Sequence, residues 1–348
     1  MRQAIEFRVL GKTGIKVSRH CLGSMMFGAF GNSDHDECVS IIHAALEAGI
    51  NFIDTSDNYS NGESEEIVGK AIRGRRDDVV LATKFWAPMP GADRRATNRQ
   101  GASRRWIITE VESSLRRLGT DHIDLYQQHR FDSSTALEET LSALSDLLHQ
   151  GKIRAFGSST FAAERIVEAQ WTSERLGLER YRCEQPQYSI FRRGIEMDVL
   201  PTCRRYGMGV IVWSPLDGGW LSGRYRTAAD FGEDTRMVRL NKRFDPDTEL
   251  NRRKLALANE LAGLADGAGM PLAHLATAWV LEHPDVTSAI IGPRTMAQFE
   301  SYLAAADVRL DAAVLDAIDE VVPPGTNVNP VDPTSIPAEL APSYRRRR

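Results

Sequence analysis

Gly49-Ile50-Asn51-Phe52-Ile53-Asp54 is a short run of strand character that ends on a carboxylate, and the same pattern recurs down the chain. Val79-Val80-Leu81-Ala82-Thr83 runs into Lys84, and His122-Ile123-Asp124-Leu125-Tyr126-Gln127-Gln128 runs into His129. Further on, Ile153-Arg154-Ala155-Phe156-Gly157 leads to Ser158-Ser159, and Tyr181-Arg182-Cys183-Glu184 to Gln185. Gly209-Val210-Ile211-Val212-Trp213 leads to Ser214, and Val286-Thr287-Ser288-Ala289-Ile290-Ile291 to Gly292. A strand near residues 20–24 completes a set of eight. Between the first two, Cys38, Ile41, Ile42, Ala45 and Leu46 recur at helical spacing over 36–48, and Gly49 stops the helix. Helices are likewise predicted over 64–73, 103–118, 134–150, 162–176, 198–206 and 271–282. An eight-fold alternation of strand and helix without a break in composition predicts an α/β fold, one closed (β/α)8 TIM barrel with its helices outside.

Outward from that core, 7–10 and 15–18 alternate around the turn residues Gly11-Lys12-Thr13-Gly14 and predict an N-terminal β-hairpin. Residues 87–102, with Arg94, Arg95 and Arg99, and residues 221–248 are expected to be long loops at the C-terminal face of the barrel. The whole chain, 1–348, reads as a single barrel domain, with 323–348 an irregular tail that carries six prolines and ends in four arginines.

Bulk composition narrows the function. With 42% hydrophobic residues, 26% charged and a net charge of −4, the chain has no field that would gather nucleic acid. Charges in Met1-Arg2-Gln3-Ala4-Ile5-Glu6-Phe7-Arg8 stand where a secretory signal needs an apolar core, and no run reaches the ~20 apolar residues of a membrane span. A cytoplasmic protein without a membrane segment is expected. Cys21, Cys38, Cys183 and Cys203 lack paired spacing, so they read as reduced packing thiols and not as a disulfide framework or zinc site.

In a βα barrel, reactive groups stand at the C-terminal ends of strands, where loops vary without disturbing the core. Asp54, Lys84 and His129 meet that condition, and Tyr59 lies close enough beyond Asp54 to fold over the same mouth. A tyrosine beside a lysine and a histidine suggests a proton donor to a developing alkoxide. Its free pKa of about 10 fits neutral pH poorly, but a nearby ammonium lowers it and a carboxylate keeps that ammonium charged and aimed. With one histidine in the cluster, no metal is expected. Lys84 at a strand end also admits a Schiff-base aldolase. Met26, Phe27, Trp86, Arg130 and Phe131 flank the cluster and are the candidate lining for a small-molecule carbonyl substrate.

Four stretches carry a resemblance over essentially the whole chain: Gly49 through Asp54-Thr55-Ser56-Asp57-Asn58-Tyr59, Ala82-Thr83-Lys84, Leu118-Gly119-Thr120-Asp121 through His129, and Trp213-Ser214-Pro215-Leu216. In order and spacing they resemble the aldo-keto reductases. The resemblance implies that Asp54, Tyr59, Lys84 and His129 form a catalytic tetrad, with Tyr59 the proton donor, Lys84 and Asp54 tuning it, and His129 orienting the carbonyl. It also implies a nicotinamide cofactor, NADP(H) in preference to NAD(H), held without a G-x-G-x-x-G fingerprint. The residues matching the family's cofactor groove are Ser159, Thr160, Gln185, Trp213, Ser214, Leu216, Gly218, Ser222, Gly223, Gly292, Arg294, Gln298 and Tyr302, with Arg294 the cation for a 2′-phosphate. The chain departs from the family at Thr160, where an asparagine is usual, and at Ser301-Tyr302, where Glu-Asn is common. Bacterial keto-sugar reductases and potassium-channel β-subunits are similar branches, and the latter implies an alternative role as a cofactor-sensing subunit with little turnover.

Overall fold

The computed structural model describes residues 5–89, 98–231, 245 and 248–330. Arg94 and Arg95, most of the second predicted loop and the tail from residue 331 on lie outside the described residues. The first two strands, β1 (Phe7–Val9) and β2 (Lys16–Ser18), pair antiparallel with Phe7 opposite Ser18, forming the hairpin. The other eight are all parallel to their neighbours: β3 (His20–Gly23), β4 (Phe52–Asp54), β5 (Val80–Phe85), β6 (Ile123–Gln128), β7 (Ile153–Ser159), β8 (Cys183–Gln185), β9 (Gly209–Val212) and β10 (Ser288–Ile291). They follow one another around a ring that closes where β10 pairs with β3, so the barrel has no free edge.

Helices alternate with these strands, and sequence chemistry sets their ends. Asp34 caps His35–Glu47 by accepting from the Asp36 and Glu37 amides, and Ser103 caps Arg104–Leu118 by accepting from the Trp106 amide. The helix expected from 134 starts later, at Leu137–His149, because Asp132 binds the amide and hydroxyl of Ser134 and the hydroxyl of Thr135 and holds them in a turn. Strand β7 runs past its expected end at Gly157 to Ser159, since Ser158 pairs with Gln128 and Ser159 with Gln185.

The chain divides into two compact units. The first comprises Met1–Gln187, Met197–Trp213 and Leu281–Val308 and holds the hairpin and the entire barrel. Its core is a layer of inward side chains, Cys21, Phe52, Ala82, Leu125, Ala155, Cys183 and Ile211, one from each of seven strands, joined by Leu10 and Val17 of the hairpin. The hairpin reaches this layer by close backbone approach: the Lys12 amide donates to the Gly207 carbonyl, and a Cβ at Gly209 would lie 2.6 Å from Leu10 Cδ1. Side chains repeat their facing every second residue along a strand. Two residues beyond Phe52, Ala82, Leu125 and Cys183 therefore stand Asp54, Lys84, Gln127 and Gln185, and an apolar floor becomes a polar layer.

The second unit comprises Tyr188–Glu196, Ser214–Val280 and Arg309–Arg348. Its helices Glu249–Gly267 and Ala312–Val321 pack together, and Arg193 ties Tyr188–Glu196 to the latter through Asp319 at 2.7 Å. Among the described residues no helix is long and apolar enough to cross a membrane.

Candidate active site

Lys84 is fully buried, and all three of its ammonium protons are used: on Asp54 Oδ2 at 2.6 Å, the Thr55 carbonyl at 2.8 Å and the Tyr59 hydroxyl at 3.2 Å. Asp54 Oδ1 in turn accepts from Gln185 Nε2 at 2.8 Å and Gln127 Nε2 at 3.2 Å, and Gln185 also donates to Gln127 Oε1 at 3.1 Å. Breaking a buried ion pair by removing one partner costs about 3–5 kcal/mol, and here both partners are further satisfied by hydrogen bonds. The lysine is a fixed charge. Burial works against its ammonium, but Asp54, then Tyr59, hold its pKa above the ordinary value.

Tyr59 opens a 3₁₀ turn, Tyr59–Gly62, in which Ser60 and Asn61 take left-handed backbone (φ 46° and 65°). Ser60 pins the turn by donating to the Phe27 carbonyl at 2.9 Å and accepting from the Phe30 amide at 3.1 Å. The Tyr59 ring meets the His129 ring edge-on, with centroids 6.1 Å apart. Burial raises the Tyr59 pKa; Lys84 acts in the lowering direction expected of it but does not overcome burial. His129 follows β6 directly and lies with Nδ1 3.4 Å from Ser56 Oγ. Burial, then the Lys84 and Arg130 charges, push its pKa well below the usual imidazole value, so the ring is neutral. Asp54, Tyr59, Lys84 and His129 thus meet at one end of the barrel, in a layer that Gln127 completes. Gln127 is absent from the sequence candidates, although an amide at an inward position two residues before His129 was visible there.

Family models of known proteins match this chain in one place, the Aldo/keto reductase family over residues 20–323. The chain belongs to the aldo/keto reductase family. It is 38% identical over 326 residues to an uncharacterized oxidoreductase of Bacillus subtilis, YrpG, covering 92% of this chain and 96% of that protein. A probable voltage-gated potassium channel subunit beta of Arabidopsis thaliana is 36% identical over 325 residues, 91% and 97% of the two chains. The aldo-keto reductase YhdN of Bacillus subtilis is 36% identical over 308 residues, 85% and 87%. As a member of this family the protein is an NAD(P)H-dependent oxidoreductase, and nicotinamide dinucleotides are the family's cofactors.

The candidate cofactor residues fall in both units. In the barrel unit, Ser159 Oγ donates to the Gln185 carbonyl at 2.9 Å, Thr160 stands in left-handed backbone (φ 58°), and the Trp213 ring is half-buried. Arg294 is exposed on a turn braced by Gln298, whose side-chain oxygen accepts from the Arg294 amide at 2.8 Å. Gln298 therefore supports the turn; Gly292 is exposed before it and Tyr302 is half-buried after it. In the second unit, Ser214, Asp217, Gly218 and Gly219 all take positive φ (61°, 47°, 73° and 116°). The amides of this turn close it on itself, Asp217 donating to the Ser214 carbonyl and Gly219 to the Leu216 carbonyl, each at 2.9 Å. The Gly218 amide is taken by Ser214 Oγ at 2.8 Å, Ser222 Oγ donates to the Gly219 carbonyl at 2.6 Å, and Gly223 ends the turn at φ 77°. The buried Asp217–Lys254 ion pair at 2.5 Å fastens this turn, which includes Leu216, to the helix Glu249–Gly267.

The five candidate pocket residues are not alike. Trp86 leaves β5 at φ 125°, a backbone strain on the order of 1–3 kcal/mol for a bulky residue, and its indole N–H has no partner among the described residues. Met26 is half-buried, whereas Phe27 is fully buried and packs as core. Phe131 is turned against Phe161 (5.5 Å between centroids) and beneath the Arg165 guanidinium (4.4 Å). There it lines a depression of about 360 Å³ with Leu137 and Trp171. Arg130 donates from Nη1 to the His129 carbonyl at 2.6 Å and to Thr160 Oγ1 at 3.2 Å.

Proposed function

We propose that the protein reduces an aldehyde or ketone to the alcohol with NADPH, and that Tyr59 supplies the proton. The observation that carries this reading is the single ammonium of Lys84 hydrogen-bonded at once to Asp54 and to the Tyr59 hydroxyl. When bound, the reduced nicotinamide supplies a hydride for the carbonyl carbon. Tyr59 Oη then gives its proton to the carbonyl oxygen as negative charge develops there. Lys84 Nζ stabilises the phenolate that remains, and Asp54, with Gln127 and Gln185 on its other oxygen, keeps the ammonium in place. Neutral His129, edge-on to Tyr59, leaves the donor uncompeted and orients the carbonyl oxygen. Arg294, exposed on its braced turn, is the group suited to a 2′-phosphate and is the basis for NADPH over NADH.

An aldolase using Lys84 is disfavoured, because a Schiff-base lysine attacks as the neutral amine and this one is held as a fully satisfied ammonium. A cofactor-sensing role with little turnover is the second reading, suggested by relatives named as potassium channel subunits. One experiment separates them: oxidation of NADPH and of NADH by wild type and Tyr59→Phe, across a panel of aldehydes and ketones. Carbonyl-dependent oxidation, faster with NADPH and reduced about 10²–10⁴-fold in Tyr59→Phe, is expected. Undiminished turnover in Tyr59→Phe sinks the proton donor. Tight NADPH binding with no turnover by the wild type selects the sensing role.

A further inference from the structure

We propose that Arg130 is an anion-recognition residue, so that the carbonyl substrate carries a carboxylate or phosphate which the Arg130 guanidinium holds while Tyr59 protonates the carbonyl oxygen. This rests on the reductase reading above and names its substrate class. Arg130 is half-buried beside His129, and among the described residues only its Nη1 is engaged, on the His129 carbonyl and Thr160 Oγ1. Both of those acceptors are neutral. No described carboxylate lies within ion-pair distance of this guanidinium, whereas most arginines buried to a comparable extent are paired: Arg76 with Asp124 at 2.7 Å, Arg117 with Glu65 at 2.6 Å and Glu110 at 2.5 Å, and Arg193 with Glu196 at 2.9 Å.

Two carboxylates, one near it in sequence and one acting on it through its charge, are bonded to other donors. Asp132, its near neighbour in sequence, accepts from the Ala102 amide at 2.7 Å, from Ser134 and from Thr135. Glu184, on β8, two strands along from β6, accepts from Ser158 and from the Phe161 amide at 3.0 Å, and its charge acts on Arg130 only from beyond ion-pair distance. A partly desolvated cation with no direct ion pair among the described residues is costly, and planar guanidinium nitrogens match the geometry of a carboxylate or phosphate. Arg130 and Tyr59 feel one another's charge, as do Arg130 and His129, which puts the guanidinium within electrostatic range of the carbonyl oxygen's position. A substrate whose anionic group lies a few bonds from its carbonyl would supply the direct ion pair.

The test compares matched carbonyls with saturating NADPH: 4-formylbenzoate against methyl 4-formylbenzoate for a carboxylate, and glyceraldehyde 3-phosphate against glyceraldehyde for a phosphate. Wild type is expected to favour the anion of at least one pair in kcat/KM by roughly 10- to 100-fold. Arg130→Met should erase that ratio and Arg130→Lys should keep part of it. The pair that responds tells carboxylate from phosphate. A wild type without anion preference, or a ratio that survives in Arg130→Met while both rates fall together, overturns the proposal and leaves Arg130 a positioning residue for His129. Should no carbonyl be reduced, the reductase reading fails separately, and calorimetric titration with benzoate and benzamide decides. Benzoate binding that exceeds benzamide binding and is lost in Arg130→Met upholds the anion site; equal or undetectable binding refutes it.

Discussion

Burial sets the protonation of Tyr59 and His129, the two groups proposed to face the carbonyl. The Tyr59 hydroxyl is raised above its ordinary value by burial even with the Lys84 ammonium 3.2 Å away, and His129 is pushed well below its own. In the proposed mechanism Tyr59 must be protonated for reduction and the imidazole neutral. Tyr59 loses its proton only above about pH 10, and His129 gains one only well below about pH 6.5. The pH dependence of kcat/KM for carbonyl reduction is therefore expected to be flat between those limits, with an alkaline limb above pH 10. An alkaline limb in the range of 7 to 9 would show that Lys84 outweighs burial in the working enzyme. Sequence alone suggested these residues and the lowering effect of Lys84 on Tyr59, but not this balance, because burial depends on how the 3₁₀ turn lays Tyr59 against His129.

At the scale of elements, the strands were legible because their ends combine two signals. The apolar run sets the strand, and the period of two carries the inward face from Phe52 to Asp54 and from Ala82 to Lys84. Gln127 obeys the same rule, yet an amide beside a second amide, Gln128, does not stand out as an ionisable residue does. The helix Glu249–Gly267 is concealed for a different reason: its first turns run Glu249-Leu250-Asn251-Arg252-Arg253-Lys254, and the buried role of Lys254 depends on Asp217, far away in sequence. The contact between hairpin and barrel is equally invisible to a local pattern, and it yields a test. Gly209 is not in left-handed backbone, so alanine there is opposed by contact alone: its Cβ would fall 2.6 Å from Leu10 Cδ1 and 2.8 Å from the Gly11 amide. Gly209→Ala is expected to destabilise by about 1–3 kcal/mol, read as a lower urea midpoint, with the tetrad's kcat nearly intact in the folded protein. An unchanged midpoint would mean that the hairpin yields freely and does not close the barrel floor.

For the whole molecule, the dependence of stability on pH should carry the mark of one residue that the mechanism does not use. His20 begins β3, is buried, and has no hydrogen-bond partner on either ring nitrogen among the described residues. Burial, then the charge of Arg8, lower its pKa from 6.5 to about 4. Between those values the unfolded chain binds a proton that the folded chain refuses, so stability falls as pH falls through this window and is unaffected by His20 above it. At about 1.4 kcal/mol per pH unit the effect amounts to roughly 3 kcal/mol. Glu184 opposes it: burial raises that carboxyl to about 7, so the folded state binds its proton first and gains stability on acidification from about 7 down to 4.5. The wild-type curve therefore mixes opposite slopes, and a difference against His20→Leu isolates one of them. Leucine removes a buried polar ring at little cost in shape, so the variant is expected to match or exceed wild type at pH 8. Its advantage should widen by roughly 3 kcal/mol between pH 6.5 and 4, measured by denaturant unfolding across that series. A gap that stays constant over those pH values would show that His20 finds a partner or takes up its proton in the folded barrel.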